Sequence, residues 1–454
     1  MDRIERLDPG TLLADLVTRC WALGLWLAAP FHAKAKASIA GRRGLWERLE
    51  ERAALLHGCI WMHCASVGEF EQGLPVLEAI KLQHPELPVL LTFYSPSGYE
   101  ARKGHPLATH VEYLPFDTPG NARRMCALLQ PRAALWVRYE FWHNHLTALH
   151  RAGVPTYLLS ATFRSEQPFF RWYGGHMRRL LRGFDRIFVQ DDASLHLLEG
   201  IGLERVSRAG DTRFDRVRRI AEEGGSIPLA HAFHRAFDAP VLIAGSTWPE
   251  DEDLLANALK GLPNAPRLLL VPHEPSEDHV LRSMQAMPGP VVRWTAVARL
   301  LEQGGGHATG PNDDDPLFAR TLVMDTTGLL SRAYQHADMA YVGGGFGSGI
   351  HSVLEAAAWG RPVIVGPRHR KFPEVQGLID AGAAVEVRTA EDLRRTLSMW
   401  MERPQERQLA GSAAAHYVRS MAGATDHTLP PILAALARRD HALSASASAR
   451  NGSR

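Results

Sequence analysis

The chain has 454 residues, 45% of them apolar and 22% charged, with a formal net charge of +2. Such a length suggests two domains of roughly 200 residues, and near-neutral charge gives no case for a nucleic-acid partner. The four cysteines, Cys20, Cys59, Cys64 and Cys126, form neither a zinc spacing nor a disulfide framework, which fits a reducing compartment. The first element is the apolar stretch Leu12–Phe31, interrupted by Asp15 and Arg19. Its longest uncharged run starts at Cys20 and falls short of the roughly 18 to 20 residues that span a bilayer. Trp21, Leu23, Leu25, Trp26 and Leu27, followed by Lys34, Lys36, Arg42, Arg43 and Arg48, suit a helix lying in an anionic membrane surface. Residues 1–42 are therefore read as a membrane-associating segment, the alternative being a core-packing helix.

From Cys59 onward, strand-like and helix-like runs alternate. Cys59–Ser66, Pro88–Tyr94, Val111–Pro115, Ala133–Val137, Pro155–Ser160, Arg186–Gln190 and Val206–Gly210 read as buried strands. Cys59 and Cys64, five apart in the first of them, should face opposite sides of the sheet. After a break at 222–228 the rhythm restarts with Val241–Gly245, Arg267–Pro272, Val291–Trp294, Leu322–Met324, Met339–Gly343 and Pro362–Gly366. Strands alternating with helices imply parallel sheets covered on both faces. The expected domains are 43–221 and 229–438, two doubly wound Rossmann-like halves facing a cleft. Gly304–Pro316 reads as a polar loop, and 439–454 as a disordered tail.

The polar motifs fall just after predicted strands, where open α/β sheets bind ligands. Ser66-Val67-Gly68-Glu69 places an acid in the first turn of a helix, as a cap or as a general base. A helix N-terminus lowers a carboxyl pKa, so a base there needs opposing desolvation. Tyr139-Glu140-Phe141-Trp142 sets a second acid among aromatics, as a hydrogen-bonding strut or a site residue. In Gly210–Asp215, Arg213 is either a charge for a departing phosphate or the partner of Asp211 or Asp215. The second half offers Gly245-Ser246-Thr247, Pro272-His273-Glu274-Pro275 and Asp325-Thr326-Thr327-Gly328. Its glycine run, Gly343 to Gly349, leads through His351 and Ser352 to a helix bearing Glu355. Such a loop can bring backbone N–H groups to a phosphate, and Glu355 can accept hydrogen bonds from a ribose. The plain alternative is a tight turn without ligand. The run does not have the G-x-G-x-x-G spacing of the dinucleotide fingerprint.

Taken together, SVGE at 66–69, SPSGYE at 95–100, YLPFDTPGNARR at 113–124, YEFW at 139–142, GDTRFD at 210–215, AGST at 244–247, DTTG at 325–328 and GGGFGSGIHSVLEAA at 343–357 resemble the 3-deoxy-D-manno-octulosonic acid (Kdo) transferases. The resemblance runs in order from about Arg43 to Val387. It implies a GT-B fold and inverting transfer of Kdo from CMP-Kdo to a lipid A precursor (lipid IVA) at the cytoplasmic face of the inner membrane. It also implies an N-terminal membrane-associating helix, with no metal and no cofactor. By the same resemblance Glu69 is the general base, and Glu140 and Arg213 support the transition state. His273, Glu274, Thr327, Gly328, Leu329, Ser352, Val353, Leu354 and Glu355 hold CMP, together with Gly344 and Gly345. Many members have Lys at the position of Arg213, Pro-Arg-His-Pro in place of Pro272–Pro275, and Asn in place of Ser352. The competing readings are another GT-B nucleotide-sugar enzyme of envelope synthesis, and a catalytically silent membrane-bound scaffold of the same fold.

Overall fold

The computed structural model describes residues 9–303, 316–347 and 349–451, which leaves nearly all of the polar loop Gly304–Pro316 outside the described residues. The chain forms two compact units. The first comprises the chain through Asp215 together with the residues from Gly423 onward; the second is Arg216–Ala422.

In the first unit the strands are β1 (Ile60–Cys64), β2 (Val89–Phe93), β3 (His110–Tyr113), β4 (Ala133–Val137), β5 (Thr156–Ala161), β6 (Arg186–Val189) and β7 (Val206–Arg208). They form one parallel sheet in the order β3-β2-β1-β4-β5-β6-β7. These strands were legible because strands covered on both faces become unbroken apolar runs. Successive side chains feed two separate cores: Cys59 and Trp61 enter one, Ile60, Met62 and Cys64 the other. Cys59 and Cys64 thus lie on opposite faces, as their spacing requires. The sheet order reverses between β1 and β4, where Ile60 pairs with Ala133 and His63 with Trp136.

The second unit holds β8 (Val241–Thr247), β9 (Arg267–Pro272), β10 (Val291–Arg293), β11 (Thr321–Val323), β12 (Met339–Val342), β13 (Val363–Val365) and β14 (Ala384–Glu386). Its parallel order is β10-β11-β9-β8-β12-β13-β14, with the reversal between β8 and β12. The sequence reading missed β14, a three-residue strand too short to show a period.

The last helix, Ala424–Asn451, departs from the expected boundaries. It packs against the helix Val67–Gln83 of the first unit and sends Ile432, Ala435 and Leu436 into that unit's core. Asp215 anchors its start, accepting from the backbone N–H groups of Gly423 (2.5 Å) and Thr425 (2.7 Å) and from the Thr425 hydroxyl (2.8 Å). Strand rhythm alone does not say which sheet a terminal helix covers, and residues 423–438 of the expected domain 229–438 belong to the first unit. Residues 439–451, read as disordered, continue this helix, and 452–454 lie outside the described residues.

Near the N-terminus, the helix Pro9–Ala28 leaves Trp21, Leu23, Trp26 and Leu27 more than half exposed, and Phe31 just beyond it is 91% exposed. Asp15 accepts from Asn144 Nδ2 (2.8 Å), and Trp21 Nε1 donates to the Tyr94 hydroxyl (2.5 Å). Among the described residues, no helix is long and apolar enough to cross a membrane. Two members of the expected basic cluster turn inward. Arg42 donates to the carbonyls of Leu114 (2.9 Å) and Tyr94 (3.0 Å), and Arg48 pairs with buried Glu112 (2.7 Å). Lys34, Lys36 and Arg43 remain exposed.

Candidate active site

In a doubly wound sheet the loops beside the strand reversal splay apart and leave a crevice for ligand. In the first unit the helix start after β1 carries Glu69 and the loop after β4 carries Glu140. Ser66 caps the helix Val67–Gln83 by accepting from Glu69 N (3.4 Å), and Glu69 Oε2 accepts from Ala65 N (2.5 Å). This reciprocal cap fixes the carboxyl over the end of β1. Burial, and then the Glu140 charge, push the Glu69 carboxyl up to about 7, outweighing the Ala65 N–H and Arg138. The desolvation that the sequence reading required is therefore present.

After β4 the chain turns at Arg138, whose φ of +63° is uncommon for a side-chain-bearing residue. The turn delivers Glu140 into a cluster. Trp142 Nε1 donates to Glu140 Oε2 at 2.5 Å, and His63 Nε2 lies 3.1 Å from the same oxygen. Trp142 stacks on Tyr94, with ring centroids 4.8 Å apart. The aromatics of YEFW thus include a direct partner of the acid. His63, fully buried on β1, was missed; its signal was a polar residue inside an otherwise apolar strand. Arg213 is chelated by Asp211, Nε at 2.9 Å and Nη2 at 2.7 Å from Oδ2, with its own N–H donating to Oδ1 (2.9 Å). That is the ion-pair alternative raised from sequence, and Asp215 serves the last helix instead.

In the second unit the loops after β8 and β12 lie at the reversal. A Cβ on Gly343 would stand 2.4 Å from the Ser246 carbonyl oxygen, and one on Gly345 would stand 2.6 Å from Gly366 Cα. The glycines therefore let neighbouring loops touch backbone to backbone. The run also folds on itself: Gly347 N and Gly349 N donate to Gly344 O (3.1 Å each), and His351 N donates to Gly343 O (3.2 Å). Gly344 N donates to Asp251 Oδ2 (2.8 Å), so this amide, expected to face a ligand, is already engaged. Asp251, 1% exposed, also accepts from the Tyr341 hydroxyl (2.8 Å) and Trp248 N (2.9 Å), and burial raises its pKa. The sequence reading missed Asp251, although Trp248-Pro249-Glu250-Asp251 reads as a helix start with an acid at its third position.

His273, at the end of β9, stacks on His351 with centroids 4.1 Å apart, and Trp248 Nε1 donates to His351 Nε2 (3.1 Å). Burial, and then His273, lower the His351 pKa to about 4, which keeps the ring neutral. Glu274 is exposed, and its carbonyl bonds to His279 Nδ1 (2.9 Å). Thr327, Gly328 and Ser352 are exposed, and Leu329 is partly buried. Gly328 has a φ of +86°, the left-handed region that favours glycine. Val353 and Leu354 are core side chains, leaving only their backbone for a ligand. Glu355 is partly buried, and burial pushes it up to about 7 against the pull of Arg216.

Two Rossmann-like units, each a seven-stranded parallel sheet with its polar loops at the strand reversal, define a GT-B-like fold. The fold is similar to that of Acinetobacter baumannii MurG, with a TM-score of 0.51 at 15% identity, covering 82% of this chain and 98% of that one. Residues 38–216 match the family model described as 3-deoxy-D-manno-octulosonic-acid transferase (kdotransferase). The 3-deoxy-D-manno-octulosonic acid transferase of Bordetella pertussis is 32% identical over 390 residues, covering 82% of this chain and 86% of that protein. The transferase of the same description from Aquifex aeolicus is 27% identical, covering 74% of this chain and 84% of that protein. The chain belongs to the 3-deoxy-D-manno-octulosonic acid transferase family and is a glycosyltransferase.

Proposed function

We propose that the protein transfers Kdo from CMP-Kdo to a lipid A precursor, lipid IVA, with inversion at the anomeric carbon. The observation that carries this reading is the Glu69 carboxyl, held at a strand reversal and raised to about 7 in a member of this family. A general base works best when its pKa lies near the operating pH. Glu69 takes the proton of the acceptor hydroxyl as the hydroxyl oxygen bonds to the anomeric carbon. The bond from that carbon to the CMP phosphate oxygen breaks on the opposite face, and CMP leaves with the electron pair. Arg213 offsets the charge on the leaving phosphate, sharing its guanidinium between that phosphate and Asp211. Glu140 supports the positive charge that develops on the sugar ring. In this reading the second unit holds CMP. Glu355 accepts from the ribose hydroxyls, while His273, Glu274, Thr327, Gly328, Leu329, Ser352 and the backbone of Gly345, Val353 and Leu354 form the surrounding wall.

Labelled donors test the assignment. Transfer to lipid IVA is expected from CMP-Kdo and not from UDP-sugars, and the reverse result would assign the chain to a different nucleotide-sugar reaction.

The acceptor is a lipid, so we further propose that the helix Pro9–Ala28 rests on the cytoplasmic face of the inner membrane. Exposed Trp21, Leu23, Trp26, Leu27 and Phe31, with Lys34, Lys36 and Arg43 behind them, support this. The protein should float with anionic vesicles, and a Leu23→Ser, Trp26→Ser, Leu27→Ser variant should remain in the soluble fraction. Equal flotation of the two would remove the helix from membrane contact.

A further inference from the structure

We infer that His63 is a positioning residue for the reaction, holding the Glu140 carboxylate through a hydrogen-bonded chain inside the first sheet. The inference rests on the reading of Glu140 as a catalytic group. The hydrogen-bonded series starts from three side chains buried in the sheet, Trp61 and His63 on β1 and Thr92 on β2. Trp61 Nε1 can only donate, and it donates to Thr92 Oγ1 at 2.9 Å. His63 Nδ1 lies 3.0 Å from both the hydroxyl and the carbonyl oxygen of Thr92, which fixes the ring against β2. The opposite ring nitrogen, Nε2, faces Glu140 Oε2 at 3.1 Å.

The contacts around Glu140 place a hydrogen on Nε2. The Trp142 indole hydrogen is committed to Glu140 Oε2 at 2.5 Å, so it does not serve His63 Nε2, 3.1 Å away. A bare ring nitrogen and a carboxylate oxygen facing each other would repel, so one hydrogen must lie between them. His63 and Trp142 therefore grip one oxygen of Glu140 from two directions. An acid on a loop that leaves β4 through the positive-φ residue Arg138 is thereby tied to the rigid centre of the sheet. Strand and loop are joined across 77 positions of sequence.

Two conservative substitutions separate the ends of the chain. In His63→Gln the amide nitrogen takes the place of Nε2 and still reaches Glu140. In His63→Asn the amide takes the place of Nδ1, keeping Thr92 and losing Glu140. Turnover of purified full-length protein with CMP-Kdo and lipid IVA is expected to stay within roughly threefold for His63→Gln and to fall about tenfold or more for His63→Asn. The donor KM should be unchanged in both. In a Glu140→Gln background, His63→Asn should cost less than about twofold further, because the group it positions is already altered. Equal activity of the two His63 variants, or the same loss in both backgrounds, would overturn the inference. Wild-type turnover in Glu140→Gln alone would instead remove the catalytic role of Glu140, a separate failure.

Discussion

Glu69→Gln is expected to lose roughly 10²- to 10⁴-fold in turnover while its affinity for CMP-Kdo stays within about twofold. Glutamine keeps an oxygen for the Ala65 N–H and so preserves the cap, but it cannot accept a proton. In the parent protein, kcat/KM should rise with pH through about 7 and level off above it, because the base works only when ionised. The same group sets a stability effect of definite sign. Its folded pKa, about 7, lies above the ordinary carboxylate value of 4.5, so folding favours the protonated form. The charged carboxylate therefore costs stability above pH 7, and that cost fades as the pH falls from 7 towards 4.5. Glu69→Gln should thus melt higher than the parent at pH 8, by roughly 2–6 °C after allowance for solvent screening, and equally at pH 4. Near-normal turnover, or a melting temperature lowered at pH 8, would remove Glu69 from its assigned place.

Asp251→Ala should be the most damaging substitution in the second unit, costing about 3–5 kcal/mol. Asp251 accepts from Gly344 N, the Tyr341 hydroxyl and Trp248 N, and alanine leaves all three donors without it. The tyrosine is fully buried, so water cannot replace the lost acceptor cheaply. Because Gly344 lies within the glycine run, the loop should lose its position and CMP affinity should fall with stability. Asp251→Asn keeps one acceptor oxygen and should cost about half as much. Calorimetry with and without CMP reads both effects. An Asp251→Ala protein that melts with the parent would show that the loop is held by its own backbone bonds alone.

Much of the fold was legible because buried parallel strands become unbroken apolar runs, and the candidate acids stood out as polar residues at strand ends. What escaped were relations across sequence. His63 meets Glu140 from 77 positions away, and Asp251 meets Gly344 from 93. No local pattern encodes such a pairing. Arg42 and Arg48 read as surface charge because sequence adjacency records charge but not direction; folding turned both toward internal acceptors. The glycine run was expected to present amides to a phosphate. Several of its amides close its own turn, and its glycines let it lie against the backbones of Ser246 and Gly366. The direction of the Glu69 shift likewise depended on whether burial or the helix start prevailed, and only packing decides that.

Kdo transfer from CMP-Kdo to a lipid acceptor can be read by mass spectrometry of the product formed from purified protein, CMP-Kdo and lipid IVA. The expected product is an acceptor heavier by one or more Kdo residues, with CMP released in equal number, formed at least about 10²-fold more slowly by Glu69→Gln. An unchanged acceptor in the presence of folded, CMP-binding protein would contradict it.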